Sequence, residues 1–183
     1  MRVRKWLILM LTVLLVFTTG CTLFGGGSDD GKTPGKKKIT LTAYASSEEI
    51  DLANDAAANV LDGDSETMWH TKWWDTDVTE NPESITIVLS ELAYVHKFRY
   101  LPRQDEEWNG TITKYEIQYS VDGETFETIV EGEWEKDKEW KEVKFDPVKA
   151  LEIRLVVHDG HGGHASAAEI ELGITPIEVN EEE

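Results

Sequence analysis

Apolar and polar residues alternate at every second position through much of 38–177. Tyr115, Ile117 and Tyr119 alternate with Lys114, Glu116 and Gln118. Leu151, Ile153, Leu155 and Val157 alternate with Glu152 and Arg154, and Ile170, Leu172 and Ile174 with Glu169 and Glu171. Side chains of a strand point to opposite faces in turn, so each stretch predicts a strand with one buried face. Further strands are expected at 39–43, 85–89, 95–101, 126–130 and 140–145. Asp122-Gly123 supplies a hairpin turn. Only 48–61 has room for a helical turn or two. About eight short strands, joined by segments bearing Gly, Asp and Pro, predict an all-β antiparallel sandwich or jelly roll. No internal repeat is present.

The pattern changes outside this region. Residues 1–5 are basic (Arg2, Arg4, Lys5), 6–17 are apolar apart from Thr12, and the small residues Thr18-Thr19-Gly20 precede Cys21. Twelve residues are short for a bilayer span, which needs roughly 20. The arrangement resembles a bacterial lipoprotein signal over 1–20, with Cys21 lipidated. An ordinary cleaved signal or a short anchor helix is the alternative. Residues 21–37, rich in Gly, Ser, Asp and Lys, read as a tether, and 178–183 as an acidic tail. The expected location is the outer side of a cell membrane, held by lipid.

Composition narrows the function. The net charge of −18 argues against nucleic acid, which requires clustered Lys and Arg. It also disfavours unaided adhesion to anionic lipid. Cys21 is the only cysteine, so no internal disulfide forms, and the folded part relies on its core and on any metal it holds.

A sandwich needs its strands for packing, so residues with chemistry in its loops are informative. Three loops stand out. The first runs from Asn59 through Asp62, Gly63 and Asp64 to Trp69, His70, Trp73 and Trp74. The second carries Arg103, Gln104, Asp105, Trp108 and Asn109. The third holds His161, His164 and Glu169.

The runs NVLDGDSETMWHTKW, YLPRQ followed by NG, YEIQYSVDGETFETIVEG and ASAAEIEL resemble, in order, the coagulation factor 5/8 type C (discoidin) domain. More narrowly they resemble its carbohydrate-binding branch, carbohydrate-binding module family 32. The resemblance spans about 43–172. It implies an eight-stranded jelly roll with a structural calcium ion. The calcium ligands it implies are the backbone carbonyls of Asn59, Asp64 and Ala168, the carboxylates of Asp62 and Glu169, and Thr67. Calcium takes six to eight oxygen ligands of mixed kind, and Gly63 permits the tight turn that would aim them. Without the resemblance, a metal-free Asp-Gly turn is the plainer reading.

The resemblance also implies that His70, Arg103 and Asn109 read sugar hydroxyls of a galactose-type glycan, with Trp73 as a contact ring and Glu48 or Glu49 at the rim. Relatives often place an aromatic stacking ring where this chain has His164, whose ring can itself pack against a sugar with less apolar area; Trp73, Trp74 or Trp108 can substitute. His158, His161 and His164, spaced by three, could instead gather a transition metal. Trp134 and Trp140 read as packing residues. No paired catalytic carboxylates, nucleophile triad, phosphate loop or zinc-protease helix is apparent, so a non-catalytic monomeric binding module is expected. A protein- or envelope-interaction module on the same fold is the alternative.

Overall fold

A computed structural model describes residues 38–74 and 77–178. The signal of 1–20, Cys21, the tether to residue 37 and all of the acidic tail after Glu178 lie outside the described residues.

Among the described residues, eight strands run in chain order: β1 (Leu41–Ala45), β2 (Trp69–His70), β3 (Glu83–Leu101), β4 (Ile112–Ser120), β5 (Glu127–Glu133), β6 (Lys141–Gly160), β7 (Ser166–Ala167) and β8 (Glu169–Pro176). All their pairings are antiparallel. Two departures from the sequence pattern concern length. Segments 85–89 and 95–101 are one strand, β3, and 140–145 and 151–157 are one strand, β6. The apolar alternation is broken in each by a bulge, and a bulge looks like a strand end in sequence.

In β3 the buried positions are Ile85, Ile87 and Leu89, then Ala93 and Val95, then Phe98 and Tyr100. The register slips between Val95 and Lys97. One extra residue flips every following side chain to the other face, so buried positions pass from odd to even numbers. Pro147, which has no N–H to give a ladder, falls on the β6 side of the same irregularity.

These two long strands join the layers. Residues 85–89 of β3 pair with β1, and 83–88 with the second half of β6, which continues to β4 and β5. Residues 93–100 of β3 pair with the first half of β6 and with β8. The result is an antiparallel jelly-roll β-sandwich. Ile85, Ile87, Ile117, Ile153, Leu155 and Val157 are fully buried in its core. Trp134 stacks between Tyr115 and Tyr100, with centroids 3.7 and 4.9 Å away.

The helical expectation for 48–61 reduces to one 3-10 turn, Ala57–Leu61. The Glu48 carboxylate accepts from the Ala57 N–H (2.9 Å) just before it. The paired dipeptides β2 and β7 are too short to show alternation. Trp69 faces Ala167 and His70 faces Ser166. Trp69 is fully buried, and its indole N–H donates to the Ser47 carbonyl (2.8 Å). This small ladder positions the chemistry.

Candidate functional site

His70 ends β2 with 2 % of its surface exposed. Its backbone is held on both sides, its N–H donating to Asp55 O (3.2 Å) and its carbonyl accepting from Glu49 N (2.9 Å). Nδ1 lies 2.6 Å from the Thr71 carbonyl, which can only accept, so the proton sits on Nδ1 and Nε2 is left as an acceptor. Burial pushes the imidazole down to about 4, with Arg103 and His164 adding to the effect, so the ring is neutral at physiological pH.

Arg103, also buried, follows the end of β3. The Asp105 carboxylate grips it as a fork, Oδ1 accepting from Nε (2.6 Å) and Oδ2 from Nη2. Nη1 donates to the Asn109 carbonyl (2.9 Å). A guanidinium has five N–H groups, so two remain for a ligand. These hydrogen bonds from Arg103 hold the Asp105 carboxyl below its ordinary range.

Asn109 occupies a turn tied to the third loop. Gly110 N–H donates to His161 O (2.8 Å), and Ser166 N–H to Gly110 O (2.8 Å). Gly162 has φ +74°, and a Cβ there would lie 2.0 Å from Asn109 Oδ1. A bare backbone at residue 162 therefore makes room for the Asn109 amide.

His70, Trp73, Arg103 and Asn109 line one open hollow of about 210 Å³, together with Asp55 and Glu107. Trp73, 42 % exposed, stands edge-on to His70 at 6.1 Å between centroids. The hollow thus offers an imidazole acceptor, guanidinium donors, an amide that does both, and one indole. Such groups suit a small polyhydroxylated ligand with an apolar face.

The other residues singled out in the sequence fall elsewhere. His164 does not line the hollow but packs against His70, 5.6 Å between ring centroids. Burial lowers its pKa against the pull of Asp77. Glu48 caps Ala57, and Glu49 is fully buried, its Oε1 accepting from the N–H groups of Asp51 and Leu52. The acids at the hollow are instead Asp55 and Glu107. Glu107 stands two residues before Asn109 and Asp105 two after Arg103, spacings that can share a side in an extended loop. Asp55 had no such signal. The histidine trio is not assembled: His158 faces Glu116 (3.2 Å) and His161 faces Lys136 (3.2 Å). Among the described residues, no three His, Cys, Asp or Glu side chains gather as a metal site.

The loop implied for calcium is compact. Asp62 accepts from Asp64 N–H and from the Thr67 hydroxyl (2.8 Å each), and the Thr67 hydroxyl also lies 2.9 Å from Asp64 O. The Asn59 carbonyl accepts from Asp62 N–H (3.3 Å), and the Asn59 amide donates to Met68 O (2.8 Å). Gly63 has φ +78°. Ala168 N–H donates to Leu101 O (2.9 Å), which sets Glu169 facing this loop. Glu169 Oε1 is buried with no hydrogen-bond partner. Burial raises the Glu169 carboxyl, and the charges of Asp62, Glu171 and Asp64 raise it further. An orphaned buried carboxylate oxygen facing the charge of Asp62, with loop carbonyls and the Thr67 hydroxyl, fits a hard divalent cation. Two carboxylates would supply charge, and the backbone most of the remaining oxygens.

Comparison with known proteins agrees with this architecture. The sequence pattern of the F5/8 type C domain matches residues 42–170. The chain is 36% identical over 141 residues to the A type blood N-acetyl-alpha-D-galactosamine deacetylase of Flavonifractor plautii, covering 75% of this chain and 18% of that protein. It is 31% identical over 133 residues to a sialidase of Micromonospora viridifaciens, covering 72% and 20%. The chain therefore spans about a fifth of the length of these relatives. Among solved structures, CpGH89CBM32-5 of Clostridium perfringens, in complex with GalNAc-beta-1,3-galactose, has a TM-score of 0.67 and 41% identity, covering 72% of this chain and 94% of that one. The family 32 module of C. perfringens NanJ, in complex with galactose, has a TM-score of 0.64 and 38% identity, covering 72% and 92%.

Proposed function

The chain belongs to the F5/8 type C family, and on that premise we propose that its domain is a non-catalytic carbohydrate-binding module for galactose-type glycans. The observation that carries this is the convergence of His70, Arg103, Asn109 and Trp73 on one hollow. The likeness to two family 32 modules in complex with galactose-containing sugars supports it. His70 Nε2 accepts one sugar hydroxyl proton. The two free N–H groups of Arg103 donate to adjacent oxygens, and the Asn109 amide completes the set. Trp73 packs against the C–H face of the ring. The catalytic relatives are far longer than this chain, so their reactions belong to those whole proteins.

A small, open site of this kind predicts weak single-site affinity, about micromolar to millimolar, raised when many copies share one surface. In our reading Cys21 carries the lipid that places them there, and each copy acts as a monomer. Asn59, Asp62, Asp64, Thr67, Ala168 and Glu169 would hold a structural calcium ion, which would neutralise their charge and fix the first loop to the start of β8.

The test is calorimetric titration with galactose of the wild type and of His70→Ala and Arg103→Ala. Each substitution should weaken binding at least about tenfold, since each removes a buried hydrogen-bonding group. A folded wild-type protein with no heat for galactose, N-acetylgalactosamine or galactosamine would sink the reading.

A further inference from the structure

The charges around the hollow do not balance. Its one lining cation, Arg103, is already forked by Asp105, which stands outside the lining. The His70 imidazole is neutral. Two acidic residues, Asp55 and Glu107, line the same hollow; neither carboxylate accepts a described hydrogen bond, and the charge of Arg103 acts on Asp55. Lys138 does not line the hollow: its ammonium donates to the Glu107 carbonyl, stands 4.4 Å from the Trp108 ring centroid and offsets part of the charge of Asp105 and Glu107. Trp73 adds an indole wall, and an aromatic face attracts cations.

Arg103 and Lys138 offset only part of the charge of Asp55, Asp105 and Glu107, so a neutral sugar would leave the hollow net negative as it displaced water. A sugar bearing an ammonium group would meet that excess with its own charge. We propose that the hollow selects hexosamines with a free amine, such as galactosamine, over galactose and over the N-acetylated sugar. This deepens the galactose-type reading and rests on it. Burial acts in the same sense on Asp55, raising its carboxyl pKa despite the opposing charge of Arg103. That carboxylate is held partly out of water and gains from a counter-charge.

Calorimetry on the full chain with galactose, galactosamine and N-acetylgalactosamine tests this. At about pH 6 the hexosamine amine carries its proton. Galactosamine should then bind roughly tenfold more tightly than either neutral sugar at low salt, with the gap narrowing as salt is added. N-Acetylgalactosamine keeps a substituent at the same carbon and controls for shape. The galactosamine-to-galactose affinity ratio should fall toward one in Asp55→Asn. It should fall in Glu107→Gln too, a change at an exposed residue that keeps the test open if the first variant misfolds. Galactose binding as tightly as galactosamine overturns the preference and leaves the sugar site standing. A ratio insensitive to salt and to both substitutions also overturns it. No heat with any of the three sugars removes the site and the preference together.

Discussion

At the scale of single residues, protonation decides what the hollow can recognise. His70 is depressed to about 4 by its burial, so it remains an acceptor across the physiological range. Sugar affinity should therefore stay level from about pH 8 to pH 6 and fall as pH approaches 4. An NMR titration of the imidazole beside calorimetry at each pH checks both halves. The sign for stability follows from the same shift. The unfolded chain takes up this proton near pH 6.5 and the folded chain only near 4, so the His70 contribution falls with pH between those values, by at most about 1.4 kcal/mol per pH unit. Asp105 has the carboxylate's sign: held low by hydrogen bonds from Arg103, it supports the fork above its unfolded pKa and loses it as pH drops through the folded one. Asp105→Ala should lower stability, because it strips the buried Arg103 guanidinium of two hydrogen bonds, and weaken sugar binding about tenfold by freeing the guanidinium to swing. Thermal melting and calorimetry on the same sample separate the two.

At the scale of elements, the site depends on close backbone approaches between loops. Gly162→Ala would press a methyl group onto the Asn109 amide and force a side chain into positive φ. The expected loss is about 1–3 kcal/mol of stability, read by urea denaturation, together with displacement of Asn109 and weaker sugar binding. Periodicity made most strands legible, because each buries one face. It did not show that β3 and β6 each pass through both layers, since bulges erase the alternation where a strand bends. It also missed β2 and β7, which are held by Trp69 burial and a two-residue ladder. The residues lining the hollow divide in the same way. His70, Trp73, Arg103 and Asn109 stood out through a shared family pattern. Glu107 shares a short loop with Asn109, Asp55 reaches the hollow only through tertiary folding, and His164 packs against His70 from the side rather than lining the hollow.

At the scale of the whole molecule, a domain without an internal disulfide places weight on the approach of the Asp62 loop to Glu169 at the start of β8. Calcium should raise the melting temperature by several degrees, by the mass-action stabilisation of a ligand that binds only the folded state. Chelator should reverse the shift, and Glu169→Gln should abolish it. Without metal, the raised Glu169 carboxyl gives the opposite of the usual acid sensitivity: its contribution is present below its unfolded pKa and is lost as pH rises through the folded one. A calcium-dependent change in the pH profile of melting is the corresponding measurement.

β3 is the strand on which the others converge, pairing with β1, β6 and β8. Its partners β6 and β8 come later in the chain by tens of residues, so these ladders form only after large loops close. Topologies of this kind fold on a scale of milliseconds to seconds. The hollow brings the segment after β3, with Arg103, Glu107 and Asn109, against β2, which is itself held by the late strand β7. Its ability to hold a sugar is thus a signal that folding has finished: a chain caught part-way would carry the same residues and have nowhere to bring them together.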